Sequence, residues 1–168
     1  EPGDICFDIG ANIGDRTGYF LALGARVISV EPQTACVDEL NFRYGKNKNV
    51  EIIKKALGAE KGMHTFYQCK ESPNLSSLSE EWINKGRFAN RYKWNKRLNI
   101  PVTTLDDLIS IYGCPTFCKI DVEGFEVEVF KGLSKKIACI SFEFHKETLD
   151  NALKCMDILE KMGDVTFN

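Results

Sequence analysis

The chain has 168 residues, 43% of them hydrophobic and 27% charged, with a net charge of -2. That is long enough for a single domain with a full core, and the composition is ordinary for a soluble globular protein. The nearly balanced charge gives no overall pull toward nucleic acid or an anionic membrane, and no apolar run reaches the roughly 18 residues needed for a membrane span.

In chain order, the patterning predicts strands at 4–9, 26–31, 50–57, 64–69, 116–122, 137–144 and 164–168. Helices are expected at 15–23, 34–44, 104–112, 125–132 and 148–162. Gly24, Gly45, Gly113 and Gly163 each follow a helical run, as helix-terminating glycines do. Thr104 with Asp107 can cap a helix start, and Pro115 blocks its continuation. Leu149, Leu153, Met156 and Leu159 recur at helical spacing and read as core. Alternating strands and helices imply a doubly wound, mostly parallel α/β sheet, which holds ligands at the carboxyl ends of its strands. A closing antiparallel hairpin is expected to begin at Val165-Thr166-Phe167-Asn168, where the chain stops, so its last hairpin reads as truncated.

Seven cysteines are present, with no Cys-x-x-Cys pair. Several lie inside apolar strand patterns, so they read as buried, reduced thiols of a cytoplasmic protein. No leader peptide is visible, although the chain begins without Met.

The most informative stretch is Asp8-Ile-Gly10-Ala-Asn12-Ile-Gly14, between the apolar run Ile5-Cys6-Phe7 and the helical run that starts near Thr17. A second apolar run, Val27 to Val30, ends in Glu31-Pro32. Strand, glycine turn, helix and carboxylate-tipped strand build a nucleoside pocket: glycines admit close backbone approach, and the carboxylate accepts ribose hydroxyls. A dinucleotide site would carry glycine where Asn12 stands, and Asp8 repels phosphate. A cationic, phosphate-free cofactor, S-adenosyl-L-methionine (SAM), fits better, with Asp8 near its positive end and Glu31 on its ribose.

These motifs, followed by Thr104-Leu-Asp-Asp-Leu108 and Lys119-Ile-Asp121-Val-Glu-Gly124-Phe-Glu126, resemble the FkbM family of SAM-dependent methyltransferases. The resemblance runs in order from residue 4 to about 163. It implies a Rossmann-like class I methyltransferase fold and O-methylation of a small molecule or sugar. In such a fold Ala56 and Leu57, at the end of strand three, lie beside the adenine, and the family's Asn/Ser-rich loop here, with Ser76 and Ser77, approaches the cofactor. The cofactor set is then Asp8, Gly10, Asn12, Gly14, Thr17, Glu31, Pro32, Ala56, Leu57, Ser76, Ser77 and Asp121.

Two residues are candidates for catalysis. Asp121 closes an apolar strand, where a carboxylate can orient an acceptor hydroxyl, bind the SAM ammonium or hold a metal. His145 ends the strand Ile140 to Phe144, sharing a side with Glu143, and is the best general base available. Asp121, Glu143 and His145 together form a weak candidate for magnesium, which prefers oxygen ligands. Glu126 and Glu128 are expected to face solvent, and Glu123 is undecided.

An insertion at about 79–100 interrupts the pattern. Within it, residues 82–97 carry six basic residues, four aromatics and no acid. Such a mix can stack on and neutralise an anionic sugar or a nucleic acid, or form a solvated lid. A nucleic-acid-directed methyltransferase or binding module and a non-catalytic SAM-binding domain therefore remain as alternatives, and the oligomeric state is open.

Overall fold

The computed structural model describes residues 2–168. The chain divides into two compact units that alternate along the sequence. The first takes in residues up to Ala56, then Asp107–Asp121 and Ile137–Phe142. The second takes in Leu57–Asp106, Val122–Lys136 and Glu143–Asn168.

The first unit holds a five-stranded sheet. Its strands are β1 (Ile5–Ile9), β2 (Arg26–Val30), β3 (Val50–Ile53), β7 (Phe117–Ile120) and β8 (Cys139–Phe142), in the order β3-β2-β1-β7-β8. Every pairing is parallel. Helices α1 (Asp15–Ala22) and α2 (Thr34–Tyr44) make the connections β1 to β2 and β2 to β3. The β-branched and aromatic content of the central strands suits burial on both faces. Phe7, Val27, Ile28, Cys118 and Ile120 have no exposed surface. Phe20, Leu21 and Phe117 pack on a cluster of Cys6, Ala25 and Val27.

The second unit is built on the antiparallel pair β5 (Gly62–Gln68) and β6 (Lys96–Thr103), with β4 (Ala56–Leu57) on the other edge of β6. It also contains α3 (Glu80–Lys85), α5 (Glu126–Lys131) and α6 (Leu149–Glu160). Helix α4 (Leu105–Tyr112) begins in this unit and continues into the first.

The expected α/β architecture with a parallel sheet is present, with four differences. The predicted strand 50–57 breaks at Lys54-Lys55, and its second half pairs in the other sheet. The predicted insertion ends in a strand, β6, whose outward residues Arg97, Asn99 and Pro101 mask its inward Ile100 and Val102. Residues 164–168 form no strand, since an extended segment needs a neighbour to receive its backbone hydrogen bonds. On α6, Ala152, Cys155 and Leu159 are buried, while Leu149 and Leu153 stand about half exposed.

Cys6, Cys36, Cys69, Cys118 and Cys155 are buried free thiols, whereas Cys114 and Cys139 are exposed. Burial pushes the Cys36 thiol up to about 11 and that of Cys155 up to about 12. Among the described residues, no helix is long and apolar enough to cross a membrane.

Candidate functional site

Strands β1, β2 and β7 end level with one another: Ile9 pairs with Val30 on one side and with Ile120 on the other. Gly10, Glu31 and Asp121 follow directly. Strand order reverses between β1 and β7, and an open parallel sheet leaves its ligand crevice at such a switch.

The turn after β1 carries positive φ at Gly10 (71°), Asn12 (50°) and Gly14 (89°). Gly14 is obligatory, because a Cβ there would sit 2.6 Å from Leu40 Cδ2 and 2.7 Å from Tyr44 Cε2. Asn12 is among the few side chains that tolerate this backbone region. Its N–H donates to Glu31 Oε2 at 3.0 Å, and the Gln33 N–H donates to Glu31 Oε1 at 2.9 Å. Pro32, between Glu31 and Gln33 in the chain, is half-buried. Glu31 is 4% exposed, and burial raises its pKa above the ordinary value against the pull of the two backbone donors, the Gln33 side chain and the Lys119 charge.

Asp8 lies inside the sheet unit with no exposed surface. Its Oδ2 accepts from the Thr17 hydroxyl at 2.7 Å, and that hydroxyl is 2.8 Å from the Ser29 hydroxyl. Lys119 Nζ lies 3.6 Å from Asp8 Oδ1 and 3.3 Å from Asp121 Oδ2, and donates to the Gly10 carbonyl at 3.0 Å. Asp8 and Thr17 therefore act on the turn through these partners. Asp121, with its side chain 38% exposed, is the open carboxylate of the group. Sequence reading passed over Lys119. Its signal was a lysine inside an apolar strand, two residues from Asp121 and so on the same side.

The other expected site residues lie in or at the edge of the second unit. Ala56 and Leu57 form β4, with Leu57 1% exposed. The Ser76 hydroxyl accepts from the Cys69 N–H at 3.1 Å. The Ser77 hydroxyl donates to the Glu123 carbonyl at 2.7 Å and accepts from the Ser79 N–H at 2.8 Å. Both serines thus spend their hydroxyls on local backbone. Glu143 and His145 come together as expected, with Nε2 3.4 Å from Glu143 Oε2, but their third member is Glu123, at 3.9 Å, in the place expected for Asp121. His145 is 4% exposed and stacks on Trp82. Glu126 is also buried, contrary to expectation, because its Oε1 accepts from the N–H groups of Val122 (3.1 Å) and Gly124 (3.3 Å).

Residues 82–97 do not present four free aromatics. Trp82 is 1% exposed, and the Trp94 Nε1 donates to the Leu75 carbonyl at 2.7 Å. Phe88 and Tyr92 are half-buried, with Arg87 and Arg91 over their rings.

The sequence profile described as Methyltransferase FkbM domain matches residues 8–165. A solved structure, the methyltransferase FkbM from Methylobacillus flagellatus KT, is similar to this chain at 21% identity and a TM-score of 0.51. The similarity covers 77% of this chain but only 28% of that one. No curated protein sequence matches.

Two predictions test this charge arrangement. Lys119→Met keeps the side-chain stem and removes the cation, so a buried carboxylate loses its counter-charge. Urea unfolding should show a loss of about 3 kcal/mol; an unchanged midpoint would mean that Lys119 does not support Asp8. The raised pKa of Glu31 means that the folded chain holds this proton to higher pH than the unfolded chain does. Stability from this group therefore falls as pH rises from the ordinary value of 4.5 through the raised one. Glu31→Gln should flatten the slope of Tm against pH over that interval, and an identical slope would assign the titration to another group.

Proposed function

The chain belongs to the FkbM methyltransferase domain family, and on that premise we propose that it transfers a methyl group from SAM to a hydroxyl of a small molecule or sugar. The observation that carries this reading is the Glu31 carboxylate at the end of β2. An ionised carboxylate offers about four acceptor sites. The N–H groups of Asn12 and Gln33 take one on each oxygen and the Gln33 side chain takes a third, which leaves one for a ribose hydroxyl.

The rest of the rim is in keeping with that cofactor. Gly10, Asn12 and Gly14 bring backbone close to a ligand, and the Asn12 side chain occupies the place where a dinucleotide turn keeps a glycine for pyrophosphate. When bound, SAM supplies an already activated methyl group. The chain then has to hold the acceptor in line, exclude water and manage one proton.

We assign the acceptor hydroxyl to Asp121, the exposed carboxylate at the switch point, steadied by Lys119. His145, the other candidate, has its ring buried and its Nε2 turned toward two carboxylates. The acceptor is taken to be a small molecule rather than nucleic acid because both tryptophans of the basic segment are engaged within their own unit. The free thiols support a reducing, cytoplasmic setting.

Calorimetry with S-adenosylhomocysteine tests the cofactor assignment. The full chain should bind it, and Glu31→Ala should weaken binding by about 1–3 kcal/mol, the cost of an unpaired ribose hydroxyl. Asp121→Asn should keep that affinity and lower turnover by about a hundredfold or more. A chain that ignores S-adenosylhomocysteine and binds NAD would overturn the assignment.

A further inference from the structure

We propose that Glu123, Glu143 and His145 form a binding site for one divalent transition-metal ion, with zinc the ion that best matches the donor set. The proposal does not depend on methyl transfer, since its readout is the metal itself.

The turn that carries Glu123 is held from several directions. Glu123 has φ of 53°, in the left-handed region that a long side chain rarely occupies. The Glu126 carboxylate accepts from the N–H groups on either side of it, Val122 and Gly124. The Ser77 hydroxyl donates to the Glu123 carbonyl at 2.7 Å. Gly124, at φ 86°, allows the turn to approach Trp82, where a Cβ would lie 2.9 Å from Trp82 Cβ.

Trp82 also fixes the histidine. The two rings stack at 4.2 Å between centroids and 26° between planes. With the imidazole so oriented, Nε2 is shielded from solvent, makes no hydrogen bond, and is aimed at the carboxylates. A histidine side chain only 3% exposed, with a ring nitrogen in that condition, is poised to take a ligand. The three donor atoms all lie within 4.8 Å of one another.

Donor type and distance then select the occupant. Two carboxylates and one imidazole are a donor set that suits a divalent transition-metal ion, which takes imidazole nitrogen and carboxylate oxygen together. Zinc bonds to nitrogen and oxygen of about 2.0–2.1 Å give a tetrahedral edge of about 3.3–3.4 Å. The Nε2 to Glu143 separation of 3.4 Å already equals that edge, and the 3.9 Å to Glu123 needs only a small carboxylate rotation. Magnesium asks for an octahedron of oxygens, and imidazole serves it poorly. Three protein ligands leave a fourth position for water, and the Glu143 side chain, 36% exposed, marks the open side.

The test is titration of the chelator-stripped full chain with zinc, followed by calorimetry and by thermal unfolding. Because Cys114 and Cys139 are exposed thiols, the chain carries Cys114→Ser and Cys139→Ser throughout. One zinc per chain should bind and raise Tm, while magnesium at equal concentration should not. Glu143→Gln and His145→Asn should each weaken zinc binding at least about tenfold, the lower bound of the loss that even an outer partner of a ligand causes. His64→Asn, on exposed β5, should leave binding unchanged. Glu143 is the most exposed of the three ligands, so Glu143→Gln, with folding checked by circular dichroism, remains decisive if His145→Asn fails to fold. Failure of the chain to take up stoichiometric zinc, or equal zinc affinity in Glu143→Gln, would overturn the site.

Discussion

A carboxylate with no exposed surface in the central strand of a parallel sheet is the constraint around which the first unit is arranged. A carboxylate buried there calls for compensation, because moving a charge out of water costs several kcal/mol. Compensation arrives from two directions: the Thr17 hydroxyl from α1, and the Lys119 ammonium from β7. Lys119 then has further consequences, because its Nζ also donates to the Gly10 carbonyl and lies 3.3 Å from the Asp121 carboxylate. One buried acid thus ties the glycine turn, the neighbouring strand and the open carboxylate of the rim into a single set. The crevice at the strand switch is shaped by charge balance as well as by topology.

In the second unit the comparable anchor is an aromatic ring. Trp82 fills a space that two glycines leave open: a Cβ on Gly86 would come within 2.5 Å of its ring, and one on Gly124 within 2.9 Å of its Cβ. Its face fixes His145, and the turn at Gly124 is fixed in turn by the buried Glu126 carboxylate. Polar side chains here serve the backbone first. Ser76, Ser77, Ser79 and Glu126 each accept a hydrogen bond from a main-chain N–H that would otherwise be buried unpaired. That is why a serine-rich loop which looks suited to a ligand is occupied in holding itself together.

The elements that depend on local pattern are legible in the order of residues alone. The strand, glycine turn, helix and second strand from Ile5 to Glu31 follow from apolar runs and from glycines at positive φ, and they appear where the pattern puts them. So do α2, α4 and the alternation that makes the main sheet parallel. Glu31 and Asp121 were legible because a carboxylate directly after an apolar strand has nowhere to go but the strand end.

Other features depend on partners distant in the chain and emerge only on folding. Strand β6 was hidden because Pro101 and the outward polar residues outweigh a short inward apolar set, and its pairing with β5 supplies what local propensity lacks. Helical spacing assigns Glu126 to solvent, and its burial depends on the N–H groups of Val122 and Gly124 in the turn before α5. Lys119 had the right spacing, but its importance rests on Asp8, which lies 111 residues earlier and is brought beside it by the register of β1 against β7. Glu123, and not Asp121, stands beside His145 in a turn with two consecutive positive φ values, at Glu123 and Gly124, which no periodicity encodes. Local pattern sets which residues can reach a strand end or a helix face. Which of them meet is set by long-range pairing, because hydrogen bonds and counter-charges act between groups that are close in space, whatever their separation along the chain.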